Sequence, residues 1–303
     1  MSEERVNIGG QAVVEGVMMR NKSDVAIAVR RSEGDIALKK IDFVSFNERY
    51  AFLKWPLLRG MVAFVEALVL GFRSLSISAE QALEEEEEEL KGWELPLTMA
   101  IALAAGIGLF ILLPTVLMTY LRQGVDNPLL LNLGEGMLRL LIFLSYIFLI
   151  SRWQEVARVF QYHGAEHKAI ACYEAGHPLT VDNARPFSTL HRRCGTSFLL
   201  IVMVTSIILF SFFGWPELWQ RILIRLSLLP LVAGLSYESI RLAGLKDNLF
   251  TRIISQPGLW LQHLTTKKPV DEQVEVAICA LNAVMPDSQN KGSIIIEKQA
   301  EAL

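Results

Sequence analysis

The residues of this chain best suited to chemistry gather in Tyr162-His163-Gly164-Ala165-Glu166-His167-Lys168, where two histidines and a carboxylate stand at metal-ligand spacing. The pattern is H-x-x-E-H. On a helix His163 and His167 share one face, one turn apart, with Glu166 at the edge of that face. Two imidazoles so placed can grip one divalent cation, zinc or another, while the carboxylate takes a proton from a bound water. The order is that of the inverted zincins, a motif short enough to arise by chance. Further ligands are offered by His191-Arg192-Arg193-Cys194 and Tyr237-Glu238, with Glu15 and Glu174 as other acids.

Two metal geometries follow, with different functions. In the first, His163, His167 and one acid hold the ion and leave a place for water, with Glu166 as general base. Glu238 is the leading acid because it falls at the end of an expected span, on the same side as the histidines. In the second, His191 and Cys194 close a His3Cys site that clamps a loop and does no chemistry. A mixed arrangement takes His191 or Cys194 as third ligand and water as fourth. Against all of these stands a metal-free reading, with hydrogen-bonded histidines, a solvated Glu166 and Lys168, and Cys194 as a small apolar side chain. A nucleophilic Cys194 beside His191 lacks a third group to complete it. His177 before a proline and His263 in an apolar stretch are not read as ligands.

The elements that must position these residues are those of a membrane protein. Of 303 residues 52% are apolar, above the usual globular share and concentrated in long runs. The net charge of -3 gives no basic field for nucleic acid. The charged start, Met1-Ser2-Glu3-Glu4-Arg5, is not followed by the apolar core of a cleavable signal peptide. Three scattered cysteines, Cys172, Cys194 and Cys279, suit a reducing compartment.

Residues 1–45 read as a small cytoplasmic β element. Val25–Arg30 and Ile36–Lys39 flank a hairpin turn at Ser32-Glu33-Gly34-Asp35, and 7–20 reads as a turn into a strand. Residues 46–78 hold an interfacial helix, since Arg59, Glu66 and Arg73 recur every seven residues along one stripe. An acidic linker, 79–94, contains Glu84–Glu89 and reads as a solvated segment. Two helical hairpins follow, at 95–150 and 197–240, with spans near 95–121, 129–150, 197–215 and 222–240 and with Pro114 and Pro230 kinking the first and fourth. Between them the loop 151–196 carries the H-x-x-E-H and H-x-x-C motifs. Residues 241–286 form cytoplasmic or interfacial helices, broken at Gln256-Pro257-Gly258, and 287–303 is a loose tail.

Basic residues are sparse in the two hairpin turns and dense in the N-terminal region, the central loop and the stretch after the fourth span. The positive-inside rule therefore places both termini and the central loop in the cytoplasm. The fold class is mainly α: a polytopic helical membrane protein of about four transmembrane helices plus interfacial amphipathic helices, with a small N-terminal β element. Its partners are the lipid bilayer and, through its acidic and basic cytoplasmic surfaces, a membrane-protein partner; nucleic acid is not among them.

The motifs at residues 7–20, Tyr162–Lys168, His191–Phe198 and Ser236–Glu238, in that order, resemble the YqhQ-like family of bacterial polytopic membrane proteins over about residues 6–286. The resemblance implies the bacterial inner membrane and a domain of unknown function described as a predicted metal-dependent enzyme. It names no substrate. Two functions are expected: a membrane-associated metal-dependent hydrolase, or a non-catalytic scaffold whose central loop is held by a structural metal or by hydrogen bonds. Transport is disfavoured by the few ionisable residues within the spans, Glu135 and Arg139 forming an i,i+4 pair.

Overall fold

A computed structural model gives the architecture and describes residues 8–82, 93–122, 124–192, 194–245 and 249–285. The glutamate run Glu84–Glu89 and the tail 287–303 lie outside the described residues.

Strands β1 (Ile8–Val13), β2 (Gly16–Asn21), β3 (Asp24–Arg30) and β4 (Ile36–Asp42) form an antiparallel meander in chain order. Val25–Arg30 and Ile36–Lys39 are strands as expected, with Gly34 at φ +94° in their turn. Residues 8–21, however, form a complete hairpin. Its Val14-Glu15 turn puts Glu15 at φ +51°, the left-handed conformation that two-residue hairpins need. The glycines that obscured the strand pattern have a packing reason: a Cβ on Gly16 would lie 2.2 Å from the Ala28 carbonyl oxygen of β3.

Residues alternate between the two faces of a strand, and here both faces are buried. Val13, Met18, Val25, Ile27 and Val29 meet Leu70 and Ile77 of helix α1 (Leu58–Ala82). Val17, Met19, Ala26 and Ala28 meet α5 (Gln154–Glu174) and α9 (Asp271–Ala283). The sheet is thus the middle layer of an α/β/α sandwich.

Two of the three charges in the stripe of α1 are held by protein. Glu66 accepts from Ser45 Oγ at 2.8 Å and from the Phe46 amide at 2.7 Å, and Arg59 pairs with Glu238. Among the described residues, four helices are long and apolar enough to cross a bilayer: Leu58–Ala82, Leu97–Leu121, Pro128–Ile150 and Leu218–Arg241. They mark the chain as a membrane protein and expose side chains such as Ile101, Leu103, Leu141 and Leu149 that suit lipid contact. Two details differ from the sequence reading. Helix α1 qualifies by length, although the sheet covers its second half. Helix α6 (Thr196–Ser211), expected to span, has 16 residues, about 24 Å of helix.

The first apolar run consists of α2 (Glu94–Ile107), a π turn at Gly108–Leu112 and α3 (Leu113–Leu121). The wide turn accommodates Pro114, which has no amide to donate. Then α4 (Pro128–Ile150) leads through Ser151–Trp153 into α5, a separate helix rather than a continuation. After α7 (Leu218–Leu245), α8 (Leu249–Thr265) runs unbroken through Pro257, where the sequence suggested a break. Packing overrides the proline: Gly258 sits so close to α6 that a Cβ would stand 2.1 Å from Ser197 Oγ.

The two hairpin turns lie at one end of the bundle, where Asn132 Nδ2 donates to the Gly214 carbonyl at 2.9 Å. At the other end Phe143 and Ile147 of α4, Leu200 and Met203 of α6, and Leu261 of α8 form a common core. The H-x-x-E-H helix departs from that second end.

Candidate functional site

Helix α5 begins after an extended Trp153 and carries Glu155 in its first turn, a favourable charge for an N-terminus. It ends at Gly176, whose φ of +75° allows the His177 amide to reach the Cys172 carbonyl at 3.2 Å. Between these ends Tyr162 to Ile170 are all buried. His163 and His167 point to one side, as the spacing requires, with ring centroids 4.4 Å apart.

Each imidazole is oriented by a backbone carbonyl. His163 Nδ1 lies 2.8 Å from the Thr265 oxygen, at the C-terminal end of α8, and His167 Nδ1 lies 2.5 Å from the Thr189 oxygen. A carbonyl can accept but not donate, so both Nδ1 atoms carry the proton, and in the neutral form of each ring Nε2 is the atom with the lone pair. His163 Nε2 faces Cys194 Sγ at 3.1 Å. His167 Nε2 is buried with no protein partner. The donor atoms of His163, His167 and Cys194 lie within 4.8 Å of one another. Donors around a tetrahedral zinc are roughly 3.5 Å apart, from bonds of about 2.0–2.3 Å, so a modest closure would let one ion join them. The set fits such an ion: two imidazoles in the ligating tautomer, each fixed by a hydrogen bond from Nδ1 to a carbonyl, and one thiol.

Glu166 is 4% exposed, and its Oε2 has no hydrogen-bond partner. Burial pushes its carboxyl up to about 7, against the pull of His163 and His191. The carboxyl is pressed against β1, where a Cβ on Gly10 would stand 2.7 Å from Cδ and from Oε1. Gly10, read with Gly9 as part of a turn into a strand, therefore also admits this side chain. Lys168 is buried rather than solvated: its ammonium is held by the carbonyls of Arg185 and Phe187, and it fastens the loop that delivers Thr189 and Cys194.

The other expected ligands are committed elsewhere. Glu238, the leading acid, is not part of the group: Oε1 accepts from Arg59 Nε at 2.6 Å and Oε2 from Arg59 Nη2, joining α1 to α7. A carboxylate at the end of a span does have a partner, and the partner is a cation. His191 flanks the site, its ring 5.7 Å from that of His167, but its Nε2 faces Glu174 Oε2 at 3.2 Å. Its backbone exchanges two hydrogen bonds with Gln262 of α8. Glu15 is held by both Arg158 and Tyr162. The orienting carbonyls of Thr189 and Thr265 were not foreseeable, because every residue has a carbonyl and only the fold selects these two. Gln262, polar in an apolar helix, was the available signal.

The family model described as protein of unknown function (DUF1385) matches residues 55–287. A Bacillus subtilis (strain 168) protein described as uncharacterized protein YqhQ is 36% identical over 291 residues, 91% of this chain and 92% of that one. No solved structure matches. The resemblance carried by the sequence motifs is thereby shown, and the chain belongs to the DUF1385, or YqhQ-like, family of proteins of unknown function.

Proposed function

We propose that this protein is a metal-dependent hydrolase of the bacterial inner membrane, with its site at the cytoplasmic face. The observation that carries this is the pair of histidines whose Nδ1 atoms are committed to carbonyls and whose ring nitrogens lie with Cys194 Sγ in one group of donor atoms, all within 4.8 Å of one another. His163, His167 and Cys194 would hold a divalent ion, zinc by the softness of the donor set. A bound ion supplies Lewis acidity toward water or a carbonyl. Glu166 Oε2 is the group that takes the proton from the attacking water and returns it to the leaving group. The rim of loop 185–194 beside apolar helices suits peptide or lipid-linked substrates that arrive along the membrane.

A second reading rests on burial. His167 is 1% exposed and Glu166 4%, which favours a structural clamp in a scaffold that docks a membrane partner. Elemental mass spectrometry of the purified protein tests both. Near-stoichiometric metal in wild type should be lost in His163→Ala and Cys194→Ser and kept in Glu166→Gln and Glu238→Gln. Hydrolysis of ester, phosphoester or peptide probes that vanishes in Glu166→Gln supports the enzyme. Retained metal with Glu166→Gln matching wild type in a cell-based phenotype supports the clamp. Wild-type protein that takes up no metal on reconstitution removes both metal roles.

A further inference from the structure

The sheet has two edges, and they are defended differently. Strand β4 carries Lys39, Lys40 and Asp42, charges of the kind that keep an edge from pairing with another chain. Strand β1 reads Ile-Gly-Gly-Gln-Ala-Val and pairs with β2 in an unbroken register. The charges, proline or bulge that guard such an edge are missing from it. Helices α1 and α5 pack on its two faces, Val13 meeting Leu70 on one and Ile8 and Ala12 meeting the Tyr162 and Ala165 side on the other.

The register fixes which backbone groups face outward. The Val14-Glu15 turn is closed by Val13 opposite Gly16, so Val13, Gln11 and Gly9 exchange hydrogen bonds with β2 in the alternation of an antiparallel pair. The N–H and C=O groups of Ile8, Gly10 and Ala12 therefore point away from β2. All three residues are partly exposed, and among the described residues nothing pairs with their outward groups. Three donors and three acceptors stand in a row, at the repeat of an extended backbone.

The H-x-x-E-H helix meets this strand at its middle outward residue. Glu166 touches Gly10, where a Cβ would stand 2.7 Å from its Cδ and Oε1, and its Oε2 is without a partner. A strand added to β1 runs about 4.8 Å away, which puts the residue opposite Gly10 one strand spacing from the backbone that the carboxyl touches. The ligand that matches a row of alternating donors and acceptors is an extended peptide, whose own N–H and C=O groups repeat at the same interval. A lipid headgroup phosphate offers acceptors alone. We propose that the outer edge of β1 binds an extended peptide as an added strand and so presents a backbone carbonyl to the site, an inference that rests on the hydrolase reading and selects peptides over lipid-linked substrates. Water adds its oxygen to that carbonyl carbon, the C–N bond breaks, and Glu166 passes the water's proton to the leaving nitrogen, which balances without a further reactant.

Full-length Glu166→Gln protein, loaded with zinc in a maltoside detergent, is incubated with a pool of end-blocked decapeptides of random interior sequence, and the retained members are identified by mass spectrometry and synthesised. With one of them bound, residue-resolved amide exchange should slow at Ile8, Gly10 and Ala12. It should stay as it was at Gln11 and Val13, whose amides are already in the ladder. An added strand turns every second N–H toward β1, so N-methylation of alternate peptide residues should weaken binding at least about fivefold in one phase and leave it unchanged in the other. Ala12→Pro loses an outward N–H that the ladder does not use and should also bind at least about fivefold more weakly, with zinc content at the wild-type value. Ala12→Ser keeps that N–H and should bind like wild type. Should Ala12→Pro not fold, the exchange pattern and the N-methyl phase decide. The proposal is overturned if no decapeptide is retained, if exchange at Ile8, Gly10 and Ala12 is unchanged, or if N-methylation acts equally in both phases. Cleavage of a lipid-linked ester by wild type without peptide retention overturns the peptide edge and leaves the hydrolase. Peptide binding at β1 by wild type that takes up no zinc and cleaves nothing upholds the edge and removes the hydrolase.

Discussion

Gly164 sits between the two halves of the H-x-x-E-H helix contact, and replacing it by alanine probes whether that contact sets the histidines. A Cβ there would stand 2.1 Å from the Lys267 carbonyl oxygen and 3.2 Å from Thr189 Cγ2. Carbon–oxygen contacts settle near 3.3–3.6 Å, so helix α5 and the 265–268 segment must part by about 1 Å. The obstacle is backbone and cannot swing aside. Two bonds cross the same seam, Lys267 N–H to the Phe160 carbonyl at 2.8 Å and His163 Nδ1 to the Thr265 carbonyl at 2.8 Å. Overpacking costs about 1–3 kcal/mol and each weakened hydrogen bond about 0.5–1.5 kcal/mol. Alanine recovers about 1 kcal/mol of helix propensity, which leaves a net loss of about 1–5 kcal/mol. The melting temperature, followed by fluorescence at fixed protein and zinc concentrations, should therefore fall by about 2–10 °C. Zinc held against a chelator should weaken about 10- to 100-fold, because the carbonyl that orients His163 has moved. Gly9→Ala is the control: nothing lies within 4 Å of its Cβ, and it should melt like wild type. Gly164→Ala that melts at or above wild type with unchanged zinc retention would refute this account of how the imidazoles are held.

Three further outcomes follow from other contacts. Arg59→Gln and Glu238→Gln should each lower the melting temperature, the double variant should fall by less than the sum, and metal content should stay at the wild-type value; metal lost from Glu238→Gln would return Glu238 to the ligand set. Lys168→Met removes the ammonium that holds the carbonyls of Arg185 and Phe187, so limited proteolysis should cut within 185–194 several times faster than in wild type. Burial, with the Glu275 carboxylate nearby, pushes the Cys279 thiol up to about 11. The folded protein thus holds this proton more tightly than the unfolded chain, a contribution to stability present below the ordinary thiol range and lost as pH rises through about 11. Maleimide should accordingly leave Cys279 unmodified at pH 8 until the protein is denatured.

The sequence disclosed what depends on spacing. Three of the four apolar runs read as spans, the turn at Ser32–Asp35 and the i,i+4 placement of His163 and His167 are local properties, and each has its counterpart in the structure. What depends on the partner could not be read. Glu238 looked like a ligand because a carboxylate at the end of a span demands company, but a demand does not name its supplier, and Arg59 lies 179 residues away. Pro257 looked like a break because the loss of one hydrogen bond is local, whereas Gly258 packing on Ser197 is not. The β1–β2 hairpin was hidden by Gly9, Gly10 and Gly16, of which two are explained by contacts with Glu166 and with the Ala28 carbonyl. Arg225 lies 90 residues from Glu135 in sequence; the parallel course of α4 and α7, each starting at the hairpin-turn end, is what brings the two together.

The burial of the sheet between early and late segments also sets a timetable for synthesis. Asn21 Nδ2 donates to the Val284 carbonyl at 2.9 Å across 263 residues, and α9 begins some 230 residues after β4 ends. At about 5–20 residues per second a ribosome needs roughly 12–45 s to cover that interval. Throughout it the apolar face formed by Val17, Met19, Ala26 and Ala28 lacks its α9 cover while the helices between are being threaded into the bilayer. The nascent chain therefore presents a sheet with one sticky side next to the translocon, a natural client for a holding chaperone, and a ribosome stalled before codon 271 should leave that side open to capture.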